Sequence, residues 1–161
     1  YNWSRNRHIR ILLHSSSVDG RFYNCRIILQ KKIIISNLLR ENLVQHANKQ
    51  DPYEACAILL GNTNEETWET TEIFLAENMD KSEINFTVSN EQLLEGYTKA
   101  EEKGLSVVGI FHSHPKSEPS PSNTDIEFMK GNPVPWVIYS GLTNDMKAYI
   151  LESEVIQIPI N

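Results

Sequence analysis

The run from Leu105 to Phe111 is apolar except for Ser106 and Gly109, and it ends in His112-Ser113-His114-Pro115. A short apolar run of this kind fits a strand buried on both faces in the middle of a sheet, so the chain must fold around it. Side chains alternate across a strand with period two, which puts His112 and His114 on one face. Both imidazoles can then reach one metal ion. Zinc takes nitrogen and oxygen ligands, and a catalytic site typically keeps three protein ligands and leaves the fourth position open. Asp125, in Ser122-Asn123-Thr124-Asp125, is the candidate third ligand. Taken singly these residues have plainer readings: a surface histidine is usually just polar, and Ser-x-x-Asp is a common helix start with Ser122 as its cap. The combination of His-x-His-Pro with Ser-x-x-Asp is what points to metal chemistry.

The flanking sequence supplies a second carboxylate. Ile33-Ile34-Ile35 reads as a buried strand, and Ser36 caps a helix expected to run to about Ala47 with Leu38, Leu39, Leu43 and Val44 on one side. His46 falls near the end of that helix and reads as structural. After Asp51-Pro52 a strand begins at Glu54, and alternation groups Glu54, Cys56, Ile58 and Leu60 on one face. Alone, Glu54 is an ordinary strand-end charge. Beside a metal site it becomes a candidate proton carrier, because burial among apolar groups raises a carboxyl pKa towards a useful range. Cys56 reads as a small core residue, since free cysteine is commonly buried.

Further along, Trp68 to Leu75 is a returning strand and Ile84 to Val88 a short one. A helix capped at Ser89 is expected to stop at Gly104. A short helix follows Ser122 to about Lys130, and Trp136–Tyr139, Met146–Leu151 and Val155–Ile160 complete the sheet, with a turn at 142–145. Pro115, Pro119 and Pro121 stiffen the approach to Asp125. Ahead of all this, two strand-like runs around Asp19-Gly20 suggest an appended hairpin, in which His8 and His14 are ordinary polar positions. The expected division is therefore residues 1–30, a basic extension, and residues 31–161, one domain large enough for its own core.

Charge is uneven across that boundary. Residues 1–32 carry seven Arg or Lys against Asp19 alone, whereas the rest of the chain holds eight basic and 20 acidic residues, for a net charge of −6. An acidic body argues against nucleic acid as the main partner. No apolar run approaches the roughly 20 residues that span a bilayer, and no signal-peptide pattern opens the chain. Cys25 and Cys56 fit a reducing compartment and form no Cys-x-x-Cys pair; whether they pair with each other is open. The expectation is a cytoplasmic protein without membrane contact. An opening residue of Tyr1 fits a fragment.

His112-Ser113-His114-Pro115, Ser122 and Asp125, with Glu54 in Tyr53-Glu54-Ala55-Cys56-Ala57-Ile58-Leu59-Leu60-Gly61, resemble the JAMM (MPN+) zinc metalloproteases, in particular their short prokaryotic members. The resemblance covers most of residues 31–161 and departs at Ala57, where many members carry Gly. It implies an α/β fold with a curved mixed β-sheet flanked by helices, similar to cytidine deaminases. It also implies Zn2+ on His112, His114 and Asp125, Glu54 as the acid/base, and Ser122 helping to hold the tetrahedral intermediate. The implied reaction is amide or isopeptide hydrolysis behind the C-terminal Gly-Gly of a ubiquitin-like protein or its conjugate, whose extended tail could add to a sheet edge near Ile84–Val88. A sulfur-carrier protein is the alternative substrate. A non-catalytic scaffold subunit is the alternative from another class, although such subunits typically lose the ligand set that is complete here. A DNA-repair-associated relative with a similar His-x-His pattern would bring basic character into the body, which is absent.

Overall fold

The computed structural model describes residues 30–161. The proposed basic extension, with Cys25, His8, His14 and the Asp19-Gly20 turn, lies outside the described residues. Seven strands and three helices follow in the order β1 (Lys32–Ile35), α1 (Asn37–Gln50), β2 (Cys56–Thr63), β3 (Thr67–Ala76), α2 (Asn90–Glu102), β4 (Ser106–His114), α3 (Asn123–Gly131), β5 (Trp136–Ser140), β6 (Met146–Leu151) and β7 (Val155–Ile158). The sheet order is β1-β3-β2-β4-β5-β6-β7. It is mixed: β1 with β3 and β4 with β5 are parallel, and the other neighbours are antiparallel.

Beyond β7 the chain bends onto the first strand. Ile33 N–H donates to Pro159 O at 3.1 Å, Ile35 N–H to Asn161 O at 2.9 Å, and Asn161 N–H to Ile33 O at 2.9 Å. The sheet is thereby closed almost into a barrel, and β1 has partners on both sides, so its backbone presents no open edge. The largest core cluster joins Ile33, Ile35, Leu43, Ala55, Ala57, Leu59, Val108, Phe111, Val137 and Ile150. Ala57, the departure from the family pattern, is accommodated there without exposure.

The helices start where serine side chains satisfy their first amides. Ser36, Ser89 and Ser122 accept from Leu39, Gln92 and Asp125 N–H respectively. Gly104 follows α2 with a φ of 65°, a conformation glycine adopts without the Cβ penalty. α2 and α3 lie against the sheet face that carries Cys56, Ile58, Leu60, Trp136 and Ile138.

Three expectations about local structure change. The first helix runs one turn further than expected, to Gln50, and Leu38 is 67% exposed, so its packed side is built on Leu39, Leu43 and Val44. The strand begins at Cys56, with Glu54 just ahead of it. Residues 84–88 form no strand despite β-favouring side chains; on one side of the segment Asn85 O and Thr87 N–H are taken by the Asn78 side chain and Thr87 O by Met79 N–H. Among the described residues, no helix is long and apolar enough to cross a membrane.

Candidate metal centre

The strand β4 delivers its histidines as its apolar sequence requires. His112 and His114 are both buried on the face turned towards α3, and their Nε2 atoms stand 3.0 Å apart. Asp125, in the first turn of α3, brings Oδ1 to 3.3 Å from His112 Nε2 and Oδ2 to 3.5 Å from His114 Nε2. The candidate ligand atoms of the three residues all lie within 4.8 Å of one another. Two ligands of a tetrahedral zinc at 2.0–2.1 Å stand about 3.3 Å apart, so the observed spacing suits a single small cation. Two neutral imidazoles and one carboxylate also suit zinc chemically.

Each ring is set by its surroundings. His114 Nδ1–H donates to Glu118 O at 2.9 Å, which leaves the Nε2 lone pair facing the centre. The loop that supplies Glu118 is tied down beside its prolines: Ser140 Oγ–H donates to Ser117 O at 2.7 Å and Tyr149 O–H to Pro119 O at 2.8 Å. His112 is held differently. Its Nδ1 has no hydrogen-bond partner, and the ring lies stacked on Phe86 at 4.9 Å with the edge of Trp136 at 5.7 Å.

Asp125 is fixed by the helix start itself. In the capping box, Ser122 N–H and Ser122 Oγ–H both donate to Asp125 Oδ2 at 2.7 Å, and Asp125 N–H donates back to Ser122 Oγ at 3.1 Å. Burial pushes the Asp125 carboxyl up, but the neighbouring His112 and His114 rings and the hydrogen bond from Ser122 outweigh it and hold the group well below the usual carboxylate range.

The second carboxylate is delivered by register. Cys56 pairs with His112, Ser113 N–H donates to Ala55 O at 3.0 Å, and Ala55 N–H donates to Ser113 Oγ at 2.9 Å. These bonds leave Glu54 at the mouth of the centre, 3% exposed, with Oε1 at 3.8 Å from His114 Nε2. Burial raises its carboxyl from 4.5 to about 7, His114 opposing and Asp125 reinforcing the rise. That is the range in which a group can both take and give a proton near neutrality. Cys56 stands next to it, fully buried, its thiol pushed up to about 12 by burial and by Glu54. It is no nucleophile at neutral pH. His46 is likewise buried and donates from Nε2 to Cys56 O at 3.1 Å, a packing role.

The structure thus brings Glu54, His112, His114, Ser122 and Asp125 into one site. It adds Ser113, Asn78, Phe86 and Trp136, which touch or support these residues. Ser113 had a legible signal in the position between the two histidines, whereas Asn78 and Phe86 act across the fold and had none.

A family model described as prokaryotic homologs of the JAB domain matches residues 36–152. The chain belongs to this family. JAB domains of this kind are the JAMM, or MPN+, proteins that the motif resembles. Among curated relatives, the JAB protein is 36% identical over 101 residues to a desampylase of Pyrococcus furiosus, covering 63% of this chain and 69% of that one. It is 28% identical to the Lys-63-specific deubiquitinase BRCC36 of Camponotus floridanus, covering 52% of this chain but only 35% of the relative. It is 24% identical to the CysO-cysteine peptidase of Mycobacterium tuberculosis, over 84% of this chain and 97% of that one. A solution structure of a Desulfitobacterium hafniense protein superposes with a TM-score of 0.71 at 22% identity, over 81% of this chain and 91% of that one, and agrees in fold.

Proposed function

We propose that this JAB protein is a zinc-dependent peptidase that cleaves the amide or isopeptide bond behind the C-terminal Gly-Gly of a ubiquitin-like modifier. One observation carries the reading: three buried ligand atoms converge within 4.8 Å, beside a carboxyl that titrates at about 7. The relatives are named as a desampylase, a deubiquitinase and a peptidase, which supports a hydrolase. His112, His114 and Asp125 would hold the zinc ion, which when bound would supply a nucleophile at neutral pH and a positive charge towards the developing oxyanion. Glu54 as carboxylate accepts the proton that the attack releases and returns it to the departing amine. No covalent acyl-enzyme is required, and Cys56 stays out of the chemistry.

Ser122 has two duties in this scheme. Its hydroxyl orients Asp125 in the capping box, and to donate to an oxyanion it would release Oδ2, which the Ser122 amide continues to hold. Strand addition of the modifier tail at 84–88 is not part of the proposal, because that segment is no sheet edge. A sulfur-carrier substrate remains the second reading, favoured by a CysO-cysteine peptidase that aligns over 97% of its own length. The scaffold reading has no support in a site with all five positions filled.

The test is a panel of Gly-Gly-terminated modifiers, fused to a protein or linked to lysine or cysteine, incubated with zinc-loaded protein. Cleavage after the last glycine, stopped by a chelator and untouched by thiol reagents, is the expected result. Thiol-sensitive, chelator-resistant cleavage would return Cys56 to consideration and remove the zinc mechanism.

A further inference from the structure

The Asn78 side chain is 4% exposed and makes four hydrogen bonds, all to backbone. Its amide donates to Glu54 O and to Asn85 O, each at 3.0 Å, and its oxygen accepts from Asp80 N–H at 3.0 Å and from Thr87 N–H at 3.1 Å. Asn85 and Thr87 are the two neighbours of Phe86, so one buried amide grips the backbone on either side of that ring. Phe86 in turn stacks on His112 at 4.9 Å with an interplanar angle of 25° and lies 6.1 Å from Trp136.

This arrangement matters because His112 lacks the usual means of fixing a ligand ring. A metal-binding histidine ordinarily donates its second nitrogen to an acceptor, which sets the ring's orientation. His114 does so through Glu118 O, but His112 Nδ1 meets no acceptor. The orientation of the His112 ring then depends on the aromatic wall, and Phe86 is the part of that wall borne on a loop without regular structure. The same loop is tied to the other half of the chemistry, through Glu54 N–H donating to Ser82 O at 2.8 Å and through Asn78 to Glu54 O.

We infer that Asn78 is a positioning residue: by clamping the backbone around Phe86 and joining it to Glu54, it holds the His112 ring and the proton carrier in one geometry. The inference rests on the zinc-peptidase reading for its kinetic consequence. Its structural content stands without metal. Partners that support a ligating histidine typically change metal affinity or activity by about 10- to 100-fold when removed. Asn78→Ala is therefore expected to speed zinc release to a competing chelator and to lower kcat by roughly that factor, with KM little changed. Phe86→Leu, which keeps the apolar bulk, should reproduce the faster zinc release.

The experiment compares wild type, Asn78→Ala and Phe86→Leu at 25 °C, below their melting transitions. Zinc release, kcat and KM are measured on the loaded proteins. The carbon-bound ring protons of His112 are followed by NMR on the metal-free ones. In the metal-free Asn78→Ala protein the His112 signals should move towards their positions in Phe86→Leu, because the ring stack is lost in both, while His46 signals stay in place. If Asn78→Ala does not fold, Asn78→Ser is read in the same assays. An Asn78 variant that melts lower yet keeps the wild-type His112 signals, zinc-release rate and kcat overturns the inference. A wild-type protein that takes up no zinc overturns the proposed function instead, and the metal-free spectra still decide the role of Asn78.

Discussion

Replacing Glu54 by Gln should separate stability from activity. The Glu54 carboxyl is buried and titrates at about 7 against an ordinary 4.5, so the folded protein binds its proton more tightly than the unfolded chain does. Below pH 4.5 both states carry the proton and the site costs nothing. Between pH 4.5 and 7 the unfolded chain ionises first, and native stability falls until the folded pKa is passed. At about 1.4 kcal/mol per unit, the full penalty at pH 8 is about 3 kcal/mol. Glutamine carries no such charge, whatever its amide costs by lacking partners, and that cost is independent of pH. The difference in stability between Glu54→Gln and wild type, both metal-free, should therefore rise by about 3 kcal/mol from pH 4 to pH 8, or roughly 9 °C in Tm for a domain of this size. Loaded with zinc, the same variant should keep about one ion per chain, since three ligands remain. It should lose roughly 10²- to 10⁴-fold in rate. Calorimetric or fluorescence melts at the two pH values, with zinc content and turnover on the same preparation, check both halves. An equal Tm difference at pH 4 and pH 8 refutes the buried-acid argument, and a variant that hydrolyses at the wild-type rate refutes the proton-carrier role.

His114→Ala and Asp125→Ala should lose bound zinc and activity together, in contrast to Glu54→Gln, as read by metal analysis and turnover. Ser122→Ala removes the cap of α3 and should cost about 1 kcal/mol in denaturant melts. It should weaken zinc binding as well, because Asp125 loses a 2.7 Å bond. Gly61→Ala should fail to fold or melt far lower, since a Cβ there would stand 1.8 Å from Glu69 O in the neighbouring strand. A chain beginning at Gln30 should keep the wild-type melt and rate, because the proposed catalytic domain starts at residue 31; a melt lower by many degrees would move the boundary upstream.

What the sequence made legible was local. The histidines end an apolar strand and share a face by alternation alone, and Ser122 with Asp125 declares a helix start within four residues. The caps at Ser36 and Ser89 were equally readable. Glu54 was legible only in combination, because nothing near it in the chain announces that Ser113 will hold Ala55 beside the centre. Long-range pairings were hidden: no local pattern tells that β1 runs parallel to β3 or that residues 159–161 return to it. Ile84 to Val88 misled for a related reason, since β propensity describes a fit to a pleated surface and Asn78, six residues earlier, takes Asn85 O and Thr87 N–H on one side of the segment.

The candidate ligands lie close together in the chain, between His112 and Asp125, whereas Glu54 is brought to them across the fold, chiefly by the pairing of β2 with β4. Metal binding and the proposed proton transfer therefore rest on different parts of the fold. In the proposed mechanism a chain that had bound its metal would still be inactive wherever the Glu54 carboxyl is displaced from its place 3.8 Å from His114. Metal stoichiometry would then overstate the active fraction, and an active-site titration is the measure by which batches of this protein should be compared.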